Sequence, residues 1–160
     1  MVPTAAPVVV VGVGEPFRSD DGLGPRVVAA LRGRLAPTVR RVERVGEPTA
    51  LLDLWDGASL AVVVDAMRSG AAPGTLRRLE GDEVAAAALA ERTTSTHGLS
   101  VRDAIELGRS LGRLPARLVV YLVEAGEVGP GSEVSPAVER GIAQAADRIA
   151  AELRGAAPGA

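Results

Sequence analysis

Cysteine and lysine are both missing from this chain. Without a thiol there is no disulfide, no thiolate metal site and no cysteine nucleophile. Without a lysine amine there is no Schiff base and no P-loop lysine. Aromatic side chains make up 2% of the residues, too few for a stacking platform under single-stranded nucleic acid. Charge is nearly balanced: 18 basic side chains, all arginine, face 20 acidic ones for a net of −2. That exerts no long-range pull on nucleic acid or on an anionic membrane, and neither is expected as a partner. Arg40, Arg41 and Arg44 form a small basic cluster that reads as the solvated face of a strand. No apolar run is long enough to span a bilayer, and the N-terminus lacks the basic lead of a signal peptide. The expected compartment is therefore the cytoplasm.

What is present is aliphatic. Hydrophobic residues are 47% of 160. That is enough for one domain with a core of Val, Leu, Ile and Ala. We expect a single domain over residues 1–154 and a loose tail over 155–160. No internal repeat or linker divides the chain.

The organising stretch is residues 8–24. Val8, Val9, Val10 and Val11 form a short β-branched run, the mark of a strand buried on both faces. Gly12 and Gly14 permit a sharp turn at its end. Pro25 suits the first turn of a helix whose apolar face carries Val27, Val28 and Leu31. The intervening loop carries Glu15, Asp20 and Asp21. It is a poor dinucleotide site, because Phe17 stands where the fingerprint has a third glycine and the acids would repel a pyrophosphate. A ligand loop lined with acids suits a cation better.

Further along, strands are expected over 39–45, 60–65 and 118–124, with an edge strand over 75–79. Helices are expected over 49–55, 82–92, 100–111 and 135–153, the last opened by the cap Ser135 and the first-turn proline Pro136. Residues 93–98 and 125–132 read as loops, and 71–74 as a turn. Strands alternating with helices predict a three-layer α/β/α sandwich: a mostly parallel twisted sheet of about five strands, with helices on both faces.

In such sheets ligands bind beyond the carboxyl ends of the strands. Three acids fall at or just past those ends: Asp21, Asp65 and Glu124. Asp65 follows three valines, so its carboxylate is partly desolvated and needs a partner; a loop cap or a ligand would both serve. Asp20 and Asp21 could equally belong to a solvated turn that caps the next helix. His97, the single histidine, lies in a loop of hydroxyl residues ahead of a helix, where functional side chains gather. Two carboxylates and an imidazole form a mixed oxygen and nitrogen set suited to nickel, zinc or manganese, with positions left for water or substrate.

These residues carry a resemblance. Gly12-Val13-Gly14 followed by Asp20-Asp21-Gly22-Leu23-Gly24, then Val63-Val64-Asp65-Ala66, Pro73-Gly74-Thr75, Ser95-Thr96-His97-Gly98-Leu99-Ser100 and Ser135-Pro136-Ala137-Val138 resemble, in order, the hydrogenase maturation endopeptidases. The resemblance implies a twisted sheet between helices. It also implies an enzyme that trims the C-terminal extension from the large-subunit precursor of a nickel-iron hydrogenase after nickel insertion. Carried over by motif, the metal-contacting and catalytic residues are Asp21, Asp65 and His97. Nickel would be supplied by the substrate, and zinc or cadmium would fit the same place. A monomer or weak homo-oligomer is expected. Glu15 departs from the family's usual asparagine, and residues 43–49 depart from an Asp-Gly-Gly-Thr-like stretch. Two other readings use the same residues: a maturation chaperone that docks the metallated partner without cutting, and a nucleotide or small-ligand module built on the 12–24 loop.

Overall fold

A computed structural model describes residues 6–14, 22–45, 47, 49–81, 83–84, 101–126 and 134–155. Five strands, β1 (Val8–Val13), β2 (Val39–Val45), β3 (Leu60–Met67), β4 (Leu76–Glu80) and β5 (Leu118–Glu124), form one sheet in the order β2-β1-β3-β5-β4. The pairs β1–β2, β1–β3 and β3–β5 are parallel, and β4 runs antiparallel to β5 at the edge. The described helices are α1 (Leu23–Ala29), α2 (Ala50–Trp55), α3 (Val101–Leu111) and α4 (Pro136–Gly155). The expected α/β architecture, including the edge position of the fourth strand, is thus what the chain adopts.

Alternation along the strands splits the core in two. Val9, Val11, Ala61, Val63, Met67, Val120 and Leu122 pack with Leu51, Leu52 and Trp55 of α2 and with Ala104 and Ile105 of α3. Val10, Val62, Val64, Val119, Tyr121 and Val123 pack with α1 and α4 on the other face. The core is aliphatic as expected, yet the two largest fully buried side chains are Trp55 and Tyr121. Both keep their polar atoms satisfied: Trp55 Nε1 donates to the Arg113 carbonyl at 2.7 Å, and the Tyr121 hydroxyl donates to Glu152.

Local signals were followed closely. Ser135 Oγ accepts the Val138 N–H at 3.3 Å, an N-cap bond with Pro136 in the first turn of α4. Gly57, at φ +74°, turns the chain away from α2. Helix α1 begins two residues before Pro25, which still lies in the turn whose N–H groups have no helical partner. Its N-cap is Gly22, which has no side chain to cap with. The helix expected over 82–92 is described only at Glu83 and Val84, and the 93–98 loop lies outside the described residues. Strand β3 runs two residues beyond the expected end at Asp65. Ala66 and Met67 pair with Val123 and Glu124, and Met67 is buried, so pairing and packing carry the strand on past the carboxylate. Among the described residues no helix is long and apolar enough to cross a membrane.

Towards the other end of β5, Arg78 of β4 donates to Glu80 and to Glu152 of α4. Burial alone would raise the Glu152 carboxyl, but the Arg78 and Tyr121 hydrogen bonds outweigh it, and its pKa lies below the ordinary 4.5. Tyr121 is pushed up to about 12, by burial first and by Glu152 second. A lowered carboxylate pKa contributes stability that is complete above the unfolded value and is lost as pH falls below it. Arg78→Ala is expected to cost about 2 kcal/mol near neutrality, because Glu152 loses its cation while still half-buried. Urea titrations of both proteins should converge as pH drops below 4.5. A gap that stays constant with pH would count against this account.

Candidate active site

Strand β1 connects through α1 to β2 on one side, while its other neighbour is β3. This divergence marks the edge beyond the carboxyl ends of β1 and β3, the usual ligand position in such sheets. Two glycines shape it. A Cβ on Gly24 would stand 2.3 Å from the Val64 carbonyl oxygen and 2.7 Å from that of Val13. One on Gly12 would stand 2.5 Å from the Glu43 carbonyl oxygen and 2.8 Å from the Gly24 backbone. The first turn of α1 is therefore seated directly on the ends of β1 and β3, a closeness that any side chain would forbid. Gly24 touches Val64, the residue before Asp65.

Asp65 is half-buried in β3, cross-strand from Leu122. By strand alternation it shares a sheet face with Val63 and Met67, the face that packs α2 and α3. Its Oδ1 accepts the N–H of Ala66 at 2.8 Å, so the carboxylate is oriented by its own backbone. Asp21 and His97 lie outside the described residues, as does Glu15. Asp21 is the residue immediately before Gly22, the N-cap of α1.

The third acid has a different task. Glu124 is 2% exposed, the one buried charged side chain among the described residues. The Ser69 N–H donates to both its carboxylate oxygens at 3.1 Å, and the Ser69 hydroxyl donates to Oε2 at 2.7 Å. The topology explains this. Strand β4 lies beyond β5, so the 68–75 connection must cross the carboxyl end of β5. The Gly74 N–H donates to the Glu124 carbonyl and the Glu124 N–H to the Thr75 carbonyl, both at 2.9 Å. The Pro73-Gly74-Thr75 turn is also pressed on α4: a Cβ on Gly74 would stand 2.1 Å from the Ala137 carbonyl oxygen, and φ there is +85°. Sequence reading placed Glu124 at the sheet edge but missed Ser69. The available signal was a glutamate ending an apolar strand with no partner in its own segment.

The order of these features is that of a known group. The family profile described as hydrogenase maturation protease matches residues 25–152. The chain belongs to the hydrogenase maturation protease family. It is 31% identical over 152 residues to the hydrogenase 2 maturation protease of Escherichia coli, covering 92% of this chain and 90% of that one. It is 29% identical over 141 residues to the hydrogenase expression/formation protein HupD of Thiocapsa roseopersicina, covering 86% of this chain but 63% of that relative's length. Among solved structures, the hydrogenase maturating endopeptidase HybD from E. coli superposes with a TM-score of 0.79 at 28% identity, covering 94% of this chain and 93% of that one.

Within this family fold, Asp65 lies near the carboxyl end of β3. Among the described residues no group of three or more His, Asp or Glu stands together as a metal site. Asp65 is the one member of the predicted set that the described residues include. Its hard oxygen donors, pre-oriented through Ala66, suit a divalent first-row ion.

Proposed function

We propose that this chain is the endopeptidase that removes the C-terminal extension of a nickel-iron hydrogenase large-subunit precursor once nickel is in place. The observation that carries the reading is Asp65 in a family fold, held near the carboxyl end of β3 beside the point where the connections of β1 diverge. Asp21, Asp65 and His97 read the nickel that the substrate brings and place the scissile peptide beside it. A set without thiolate holds nickel weakly by itself, so the substrate's own ligands supply the remaining affinity. The ion's chemistry at such a place is to polarise a carbonyl or to activate water. A carboxylate of the set is the other candidate for drawing the proton from the attacking water. Zinc or cadmium would occupy the same donors. The working compartment we propose is the cytoplasm, where the precursor is made.

The test is purified protein incubated with nickel-loaded and nickel-free precursor, followed by mass spectrometry of the large subunit. Cleavage of the loaded form at least about tenfold faster than the empty one is expected. Equal cleavage of both would remove nickel recognition from the account. An intact loaded precursor would remove the peptidase activity itself.

A further inference from the structure

The strongest unassigned feature is the buried Glu124, which no step of the proposed reaction uses. It lies on the same sheet face as Asp65, one pair further along: Asp65 faces Leu122, and Met67 faces Glu124. Between them run Ala66 and Met67, the last two residues of β3. Ala66 supplies the N–H that orients the Asp65 carboxylate. Beyond Met67 the chain leaves the sheet to cross β5, and Glu124 catches it at Ser69 with three hydrogen bonds. The Ala125 N–H donates to the Met67 carbonyl at 3.0 Å, closing the same junction from the backbone side. Glu124 thus ties down the end of the strand that carries Asp65.

We propose that Glu124 is a positioning residue: by clasping Ser69 it keeps the end of β3 paired and the Asp65 carboxylate aimed at the substrate. The proposal rests on the endopeptidase reading for its activity arm, but the clasp itself is independently observable. Ser69 is exposed while its partner is buried, so an ordered crossing depends on the carboxylate below it. Without the clasp, the exposed 68–72 connection loses its three hydrogen bonds to the Glu124 carboxylate, and the terminal residues of β3 open more often. Asp65 then spends less time oriented by Ala66, which weakens substrate engagement before it touches the chemical step.

Three variants separate this role from others. Glu124→Ala removes the clasp. Glu124→Gln keeps it, because the amide oxygen accepts the Ser69 N–H while the amide nitrogen donates to the Ser69 hydroxyl. Ser69→Ala keeps the backbone donor and removes only the hydroxyl. Precursor cleavage and amide hydrogen exchange would be read on each, well below the melting temperature. Glu124→Ala is expected to lower kcat/KM at least about tenfold, mainly through KM, and to speed exchange at Ala66 and Ser69 by a similar factor. Glu124→Gln should stay within about threefold of wild type, with Ser69→Ala between the two. Loss in Glu124→Gln as deep as in Glu124→Ala would overturn the proposal, since charge or proton transfer would then matter. So would fast exchange in Glu124→Ala with wild-type cleavage. Should wild type itself leave the precursor intact, the endopeptidase reading falls. Exchange then judges the clasp alone: unchanged exchange in Glu124→Ala overturns it.

Discussion

Asp65→Asn is expected to lower processing of nickel-loaded precursor at least about 100-fold, a loss of about 2.7 kcal/mol in transition-state stabilisation. The substitution is nearly isosteric. Its amide oxygen can still accept the Ala66 N–H that Oδ1 now accepts at 2.8 Å, so the local backbone is preserved. What disappears is a negative charge and a hard anionic donor near the carboxyl end of β3. Flanking residues give no reason for unfolding, since Val64 and Met67 stay buried and the ladder to β5 is unchanged. A melting temperature within a few degrees of wild type would accompany the loss of cleavage. Steady-state kinetics on the loaded precursor, with calorimetry of the variant as control, reads both quantities. Wild-type turnover by Asp65→Asn would sink the assignment of this carboxylate, whatever the family likeness.

How much of this was legible beforehand depends on whether the signal was local. The continuous valine runs of β1 and β3 announced strands buried on both faces, and both lie inside the sheet. Ser135 with Pro136 announced the start of α4, and the cap bond is there. The end of β3 was misplaced because Asp65 looks like a terminator in isolation. Pairing of Ala66 and Met67 with β5 overrides that, and pairing is not written in the segment itself. The order β2-β1-β3-β5-β4 was equally hidden, and with it the crossing over β5 that gives Glu124 and Ser69 their contact. Of the candidate site, Asp65 was legible as a carboxylate after a buried run. Gly12, Gly24 and Gly74 were legible as motif letters, but the reason for each is a backbone from another element within 2.5 to 2.1 Å of the missing Cβ.

Gly24→Ala is expected to cost roughly 3 kcal/mol or more of folding free energy. The added carbon would meet the Val64 carbonyl oxygen at 2.3 Å, the Val13 oxygen at 2.7 Å and the Val13 nitrogen at 2.9 Å. All three belong to strand backbone in the middle of the sheet, where neither partner can swing aside as a side chain would. Relief requires α1 to lift from the ends of β1 and β3, exposing part of its buried Leu23, Val27 and Val28 face. Alanine's better helix propensity returns at most about 1 kcal/mol. Gly155→Ala is the matched control: nothing lies within 4 Å of its Cβ, and a change within about 1 kcal/mol is expected. Urea unfolding of the two variants against wild type separates a steric cost from a general response to adding a methyl. Because a Cβ on Gly12 would stand 2.8 Å from the Gly24 backbone, Gly12→Ala should be costly too, and the double variant should cost less than the sum of the singles. Once the first methyl has lifted the helix, the Gly12 methyl no longer meets Gly24, and only its 2.5 Å approach to the Glu43 carbonyl oxygen remains. Additive losses would mean that the two glycines serve separate constraints. A Gly24→Ala protein as stable as wild type would mean that α1 does not rest on the strand ends that flank Asp65.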